Sequence, residues 1–391
     1  MTYWIGIDIA KHKHDCFILN HQGEFIRDSF SFSNNRSGFT QLYEILSSLD
    51  STQEKRIGFE STSHYALNLK IFLDQMDLSY MEFNPFLVRQ FSKASTLRKT
   101  KTDKVDARQI ALYLSTVEYK PYPNKSYHIA HLKSLTRHRE HLIKQRSLQL
   151  VRMTNMLDRI FPEFKPFFND SLTSKTCLYI LDHYLIPSKI MRMNQDSYHK
   201  MASTLRRTIS YARFCELKRL AKETIGEEDP VLVFQLKQHM DEYRFLNTQI
   251  DEVEAFITQE FSCIDTHIHS IKGIGFFSAA TIFSEFGSIE RFTSANQLLA
   301  YAGLEPSRHQ SGLNESVGYM VKHGSPYLRQ ALMNVSESSL MHNPVLYDFY
   351  LKKRKEGKHH RVALSHVAKK IVRIIYHLET HHCDFDLDKM S

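Results

Sequence analysis

Four acidic residues in the first 110 positions carry the strongest chemical signal of this chain: Asp8, Glu60, Asp103 and Asp106. Asp8 lies between isoleucines in the apolar run Trp4-Ile-Gly-Ile-Asp-Ile-Ala10, and Glu60 closes Ile57-Gly-Phe-Glu60. A carboxylate inside a strand-like apolar run is costly to bury unless a cation holds it. Asp103 and Asp106 stand three apart in Lys101-Thr-Asp-Lys-Val-Asp-Ala107, so on a helix they share a face. Taken singly they read as solvated acids among lysines; taken with Asp8 and Glu60 they form a set. Converging carboxylates repel one another, and divalent cations resolve that repulsion. An all-oxygen donor set favours Mg²⁺, with Mn²⁺ as the substitute, over zinc. The chemistry this suits is metal-assisted phosphodiester cleavage, with two ions about 4 Å apart on the attacking and leaving oxygens.

Cations surround the last two acids. Lys93, Arg98, Lys99, Lys101, Lys104 and Arg108 fall within 16 residues, a field that suits a phosphate backbone. Arg137 and Arg139 add to it from a long basic helix further on. In Ile271-Lys-Gly-Ile-Gly275, the residues Lys272, Gly273 and Gly275 precede an apolar helix. Such a turn resembles a helix-hairpin-helix element, whose amides can meet phosphate. Ser311, in Pro306-Ser-Arg-His-Gln-Ser-Gly312, reads by spacing alone as a turn serine. Ser307 and Ser325 are its equals on chemistry. His359-His360 and His381-His382-Cys383 have metal-ligand residue types, but read first as exposed polar ends of helices.

The elements that must position these residues change character along the chain. Tyr3–Ile9, Asp15–Leu19 and Phe25–Phe32 have strand patterns, with the polar Lys11-His-Lys-His14 as a hairpin turn. Ser37 is a candidate cap for a helix carrying Phe39, Leu42, Ile45 and Leu46. Strands at 57–59 and 80–83 alternate with helices from about Ser63 to Met76 and after Pro85. Three strands followed by alternating helices and strands is the order of an RNase H-like domain, expected over 1–125. From 126 to 262 long helices are expected. There Leu236, Met240, Tyr243, Leu246, Ile250, Val253 and Ile257 step by fours and threes, the pattern of a coiled coil or of a helix buried in a bundle. From 263 to 391 a small helical domain is expected. The fold class is therefore α/β followed by all-α.

Composition bounds the function. With 391 residues, two or three domains are expected. The 51 Lys and Arg exceed the 43 Asp and Glu by eight, which suits a polyanionic partner. Five scattered cysteines without a Cys-x-x-Cys pair argue against a zinc ribbon or a disulfide framework, and suit a reducing cytoplasm. No apolar stretch reaches membrane-spanning length and no leader is legible, so a soluble cytoplasmic protein is expected. Sugar kinases and actin-like ATPases also open on a Gly-x-Asp strand. They need later glycine-rich phosphate loops, which are absent among these 13 glycines.

Three blocks, Gly6-Ile-Asp-Ile-Ala-Lys11, Glu60-Ser-Thr-Ser-His-Tyr65 and Lys101–Ala107, resemble the acidic blocks of the DEDD insertion-sequence transposases. That family includes pilin-gene-inverting and bridge-RNA-guided recombinases. Ile271–Gly275, Phe292 to Gly303, Pro306 to Gly312 and Gly324–Arg329 resemble its second domain; between them, Leu135–Arg139 and Phe161–Glu163 are also similar. The resemblance implies a RuvC-like nuclease domain holding Mg²⁺ on Asp8, Glu60, Asp103 and Asp106, and a helical domain supplying a nucleophilic serine, matched here by Ser311. It implies donor and target DNA as substrates, a homodimer or tetramer with sites shared between protomers, and a structured noncoding guide RNA whose base pairing selects sequence (compare). The rival readings are a RuvC-like junction nuclease using water and a nucleic-acid-binding protein without catalysis.

Overall fold

A computed structural model of the chain describes residues 2–60, 64–95, 103–119, 121, 126–206, 208–311 and 314–387; at 27, 28, 64, 95, 103, 104, 126–128, 306–311 and 314–319 it describes the backbone alone. The chain divides into two compact units, residues 1–129 and 130–391.

The first unit is built on strands β1 (Thr2–Ile9), β2 (Lys13–Leu19), β3 (Phe25–Ser33), β4 (Glu54–Glu60) and β5 (Tyr80–Phe83), in the spatial order β3-β2-β1-β4-β5. The β1/β2 and β2/β3 pairs are antiparallel; β1/β4 and β4/β5 are parallel. Helices α1 (Arg36–Ser47), α2 (Leu67–Gln75), α3 (Pro85–Ser95) and α4 (Asp103–Thr116) complete it. Strand alternation divides β1 between two cores. Tyr3, Ile5, Ile7 and Ile9 pack with Phe39 and Leu42 of α1 and with Leu69 and Leu73 of α2. On the other side Trp4 packs with residues of α4.

Two expectations shift here. Asn35, not Ser37, caps α1: its extended backbone (φ −155°, ψ 175°) lets the side chain accept from the Gly38 amide, and asparagine is among the best residues there. His14, expected in a polar turn, is instead drawn into β2 and fully buried, because it sits between the rings of Phe32 and Phe39. Burial holds its imidazole below the usual histidine pKa.

Sterics fix how α4 lies on the sheet. A Cβ placed on Gly6 would come within 2.4 Å of the Ala107 carbonyl oxygen and the Ala111 amide nitrogen, both backbone atoms that cannot swing away. Gly6→Ala is therefore expected to lower stability by roughly 1–3 kcal/mol, as overpacking does. An unchanged thermal midpoint would mean that α4 does not rest directly on β1.

The second unit runs from α5 (Ser126–Ile160) through α6 (Phe164–Phe167), α7 (Lys175–His183), α8 (Pro187–Met191), α9 (Gln195–Thr204) and α10 (Tyr211–Glu223) to α11 (Pro230–Phe261). Then come α12 (Phe276–Phe286), α13 (Ala295–Tyr301), the antiparallel pair β6 (Pro306–Ser311) and β7 (Asn314–Met320), α14 (Pro326–His342), α15 (Pro344–Lys355) and α16 (His360–His381). Side-chain bonds Arg139–Glu254, Arg146–Asn247 and Gln149–His239 show α5 and α11 running antiparallel. The heptad seam is consumed within the chain. Leu236, Met240 and Tyr243 join a core with Met153 and Leu157, Leu246 and Ile250 meet Leu142, and Ile257 joins Leu132.

The last of these cores also takes in α12 to α16, so the division expected at 262/263 falls inside one compact unit. The β6/β7 hairpin lies where only helices were expected. Its two strands are mostly polar and give none of the alternation that marks a half-buried strand. Among the described residues, no helix is long and apolar enough to cross a membrane.

Candidate active site

The face of the sheet that carries α4 collects the acids. Side chains two apart on a strand share a face, so Asp8 leaves β1 on the side of Gly6, the side on which α4 lies. A Cβ on Gly58 would likewise stand 3.2 Å from Leu114 of α4, so Glu60 leaves β4 on that side too. Ile7 pairs with Phe59, and one step further Asp8 and Glu60 stand at the closing ends of neighbouring parallel strands. Arg56 stacks between Trp4 and Tyr119, at 5.0 and 5.2 Å, which sets the chain beyond α4 at the opposite, starting end of the strands. The first turn of α4, with Asp103 and Asp106, therefore lies at the end where Asp8 and Glu60 emerge. Ala107, Ile110, Ala111 and Leu114 are its buried stripe, and positions 103 and 106 precede it at helical spacing on the backbone. Asp8, Glu60 and Asp106 are each half-buried.

A fifth acid belongs to this face. Asp15 is cross-strand from Asp8 in the β1/β2 register and only 1% exposed. It accepts a 2.5 Å hydrogen bond from Ser31 Oγ, and Lys13 Nζ is 3.4 Å away. Like charges directly opposite on a sheet are destabilising, and the Lys13 ammonium offsets part of that repulsion at Asp15. The pairing is set by the short turn between the first two strands, which brings position 8 opposite 15. Among the described residues, Asp8, Glu60 and Asp106 do not bring three ligand oxygens within 4.8 Å of one another. As hard oxygen donors gathered at one end of one face, they fit Mg²⁺ or Mn²⁺.

Of the expected phosphate-binding cations, Lys93 is exposed near the end of α3, and Arg108 is exposed on α4 with its guanidinium 4.9 Å over Phe25. Lys104 is placed by its backbone on α4, and Arg98, Lys99 and Lys101 lie outside the described residues.

In the second unit, Ser311 ends β6 at the tip of the hairpin, paired with Asn314. Ser307 lies on the same strand beside a register shift, and Ser325 is occupied otherwise. Its hydroxyl accepts from the Leu328 amide, capping α14, and donates to Glu285 at 2.7 Å. Glu285 is the hub of a buried polar group. Arg137 grips it with two bonds of 2.6 and 3.0 Å, and Lys133 Nζ stands 3.6 Å off. Burial alone would push this carboxyl up, but the Arg137 bonds, the Lys133 charge and the Ser325 hydroxyl outweigh it and hold it below its ordinary 4.5. A depressed carboxyl pKa contributes stability that is present above the ordinary value and lost as pH falls through the folded one.

Glu285→Gln is thus expected to cost about 3 kcal/mol near neutrality, as breaking a buried pair does, and less below pH 4.5, where the wild type gives up the same increment. Equal thermal midpoints at pH 7 would refute this. Arg139 is likewise engaged, with Glu254 at 2.6 Å and over the Phe277 ring. A phosphate reaching Arg137 or Arg139 would compete with a carboxylate already in place.

The Ile271–Gly275 turn also has a packing role. Gly273 has φ +97°, accepts from Ser338 Oγ through its carbonyl, and lies against Ser339, leaving no room for a Cβ. Gly275 stands exposed at the start of α12, with Lys272 exposed beside it. A single 3-10 turn at Ile268–Ser270 precedes it, so the element has one true helix of a helix-hairpin-helix. A basic face went unread in the sequence, although the run Lys352-Lys-Arg-Lys355 is plain there. It ends α15. His366 is pushed below its usual pKa by burial and then by Lys369, Lys353 and Lys358.

Two family models match the chain. One, of the DEDD IS110 type and described as transposase, matches residues 5–162; the other, described as transposase of the IS116/IS110/IS902 family, matches residues 265–351. The chain is 24% identical over 397 residues to a pilin gene-inverting protein of Moraxella bovis, covering 98% of this chain and 97% of that one. It is 23% identical over 385 residues to an insertion element IS116 uncharacterized 44.8 kDa protein of Streptomyces clavuligerus, covering 95% and 93%. It is also 30% identical over 92 residues to a transposase for insertion sequence element IS1111A of Coxiella burnetii, covering 24% and 25%.

Proposed function

Since the chain belongs to the IS116/IS110/IS902 family of insertion-sequence transposases, a family whose activity is to cut and rejoin DNA, we propose that it does so by serine attack on phosphodiesters, assisted by Mg²⁺ that the acidic face would hold. The observation that carries this reading is the convergence of Asp8, Glu60 and the first turn of α4 at one end of one sheet face, with Asp15 opposite Asp8. The sheet order, three antiparallel strands and then two parallel ones, supports an RNase H-like, RuvC-like domain.

Asp8, Glu60, Asp103 and Asp106 would hold the ion. When bound it stabilises charge developing on the phosphoryl oxygens. Ser311 Oγ forms a bond to phosphorus while the bond from phosphorus to a deoxyribose oxygen breaks, and that oxygen leaves as a free hydroxyl after taking up a proton. The phosphoserine link keeps the bond energy, and attack by a hydroxyl of another strand regenerates the serine. Lys93, Arg108, Lys272 and the basic end of α15 would follow the phosphate backbone.

A structured RNA is proposed to choose donor and target by pairing. Sequencing of RNA that co-purifies with the protein should yield segments complementary to both DNAs. With the heptad seam spent on α5, an oligomer would use another surface. Phe234, Phe245 and Phe256, about 60% exposed and three turns apart, line one such face of α11. The DNA substrate sets this work at the nucleoid, in the bacterial cytoplasm. The experiment that tests the whole reading is a covalent trap: protein purified under denaturing conditions from cells carrying the flanking DNA, then probed for linked DNA.

A further inference from the structure

Metal-ligand side chains also gather far from the acids in sequence. Asp265 and His267 follow α11, and His382 is the residue that closes α16. One ligand atom from each lies within 4.8 Å of the other two. The two segments that carry them are fixed to each other by the fold itself. Buried Glu379 accepts from Thr266 Oγ1 at 2.8 Å and from the His267 amide at 2.7 Å, which clamps the backbone between two of the ligands. Ser270 Oγ accepts from the Phe385 amide at 2.9 Å and ties down the chain just after the third.

The His267 ring is oriented as well: its Nδ1 is hydrogen-bonded to Asp384 at 2.8 Å. Such a carboxylate–imidazole pairing sets the tautomer and ring orientation of a metal-ligating histidine, with Nε2 as the nitrogen left for an ion. His382 sits at φ +49°, ψ +50°, where glycine is the usual residue and a side chain costs conformational energy. Such a cost is tolerated where a side chain is put to use.

We propose that Asp265, His267 and His382 form a binding site for a late transition-metal ion of the Zn²⁺ class, with Asp384 positioning His267. Two imidazoles and one carboxylate make a borderline-soft donor set that selects Zn²⁺, Co²⁺ or Ni²⁺ over Mg²⁺. Three protein ligands leave a fourth position for water or another group. The ion pins the end of α16 to the turn that precedes α12, so it braces the Gly273–Gly275 corner. This assignment does not depend on the reading of the acidic face, whose donors are all oxygen.

The test is Co²⁺ titration of the full-length protein after chelator treatment, followed by visible d–d absorption. Saturable bands are expected that Zn²⁺ displaces and excess Mg²⁺ does not. His267→Ala should abolish them. His382→Gly should abolish them too, and because glycine suits that backbone, its metal-free melting should be no lower than that of the wild type. Asp384→Asn should weaken binding about 10- to 100-fold without changing stoichiometry. Asp8→Asn should leave the bands intact, which separates this site from the acidic face. Absence of bands in the wild type, or bands that survive both histidine replacements, would overturn the assignment.

Discussion

Asp8→Asn is expected to abolish Mg²⁺-dependent strand cleavage, by at least about 10³-fold, while leaving the protein as stable as before or slightly more so. The loss in rate follows from removing an anionic ligand where charge on the phosphoryl group must be stabilised. The gain in stability follows from the register: Asp8 and Asp15 are directly opposite on neighbouring strands, and relieving such a like-charge pair returns roughly 0.2–1 kcal/mol in metal-free protein. Few inactivating substitutions have that signature, because most act by destabilising the fold. The measurement is nicking of DNA carrying the element ends, paired with thermal melting in chelator. Cleavage at the wild-type rate would remove Asp8 from the chemistry. Asp15→Asn keeps an oxygen for Ser31 to donate to, so its cleavage should fall less than that of Asp8→Asn.

Ser311→Ala should eliminate the covalent protein–DNA adduct altogether, with no change in melting, since Ser311 ends a strand at a hairpin tip. The decisive comparison is Ser325→Ala. There the hydroxyl caps α14 and donates to buried Glu285, so the adduct should persist while stability drops by about 1 kcal/mol or more. If Ser311→Ala still nicks DNA in Mg²⁺ and the wild type forms no adduct, water is the nucleophile and the protein is a hydrolytic nuclease. If the adduct vanishes in Ser325→Ala and survives in Ser311→Ala, the capping serine is the nucleophile and Ser311 a turn residue.

The strand positions of Asp8 and Glu60 were legible because strand periodicity is short-range: Asp8 between isoleucines and Glu60 after Phe59 declare them in a few residues. Asp15 was legible only with the register, a property of two strands together. The α11 seam was visible as a pattern, but a heptad does not say whether its partner is another chain or α5 of the same one. The bonds Arg139–Glu254 and Gln149–His239 decide that, and they span 115 and 90 positions. Arg137 read as a phosphate ligand for the same reason: nothing local announces Glu285, 148 positions away. The β6/β7 hairpin escaped because its two strands are mostly polar and lack the apolar alternation that marks a half-buried strand.

The antiparallel α5/α11 pair is thin at its middle. Two large cores sit at its ends, one around Phe164 and Phe214 and the other around Ile282 and Val367, and among the described residues the buried apolar side chains between them are Leu142, Leu246 and Ile250. Elsewhere along that stretch the helices are stitched by polar bonds such as Arg146–Asn247, which hold geometry but add little net stability. Melting of one core therefore exerts little pull on the other, and the 130–391 unit should unfold in two steps. A calorimetric enthalpy well above the van't Hoff value would show it; a single two-state transition would mean that the neck transmits cooperativity in full. Such partial unfolding would let one end of the helix pair rearrange while the other stays folded.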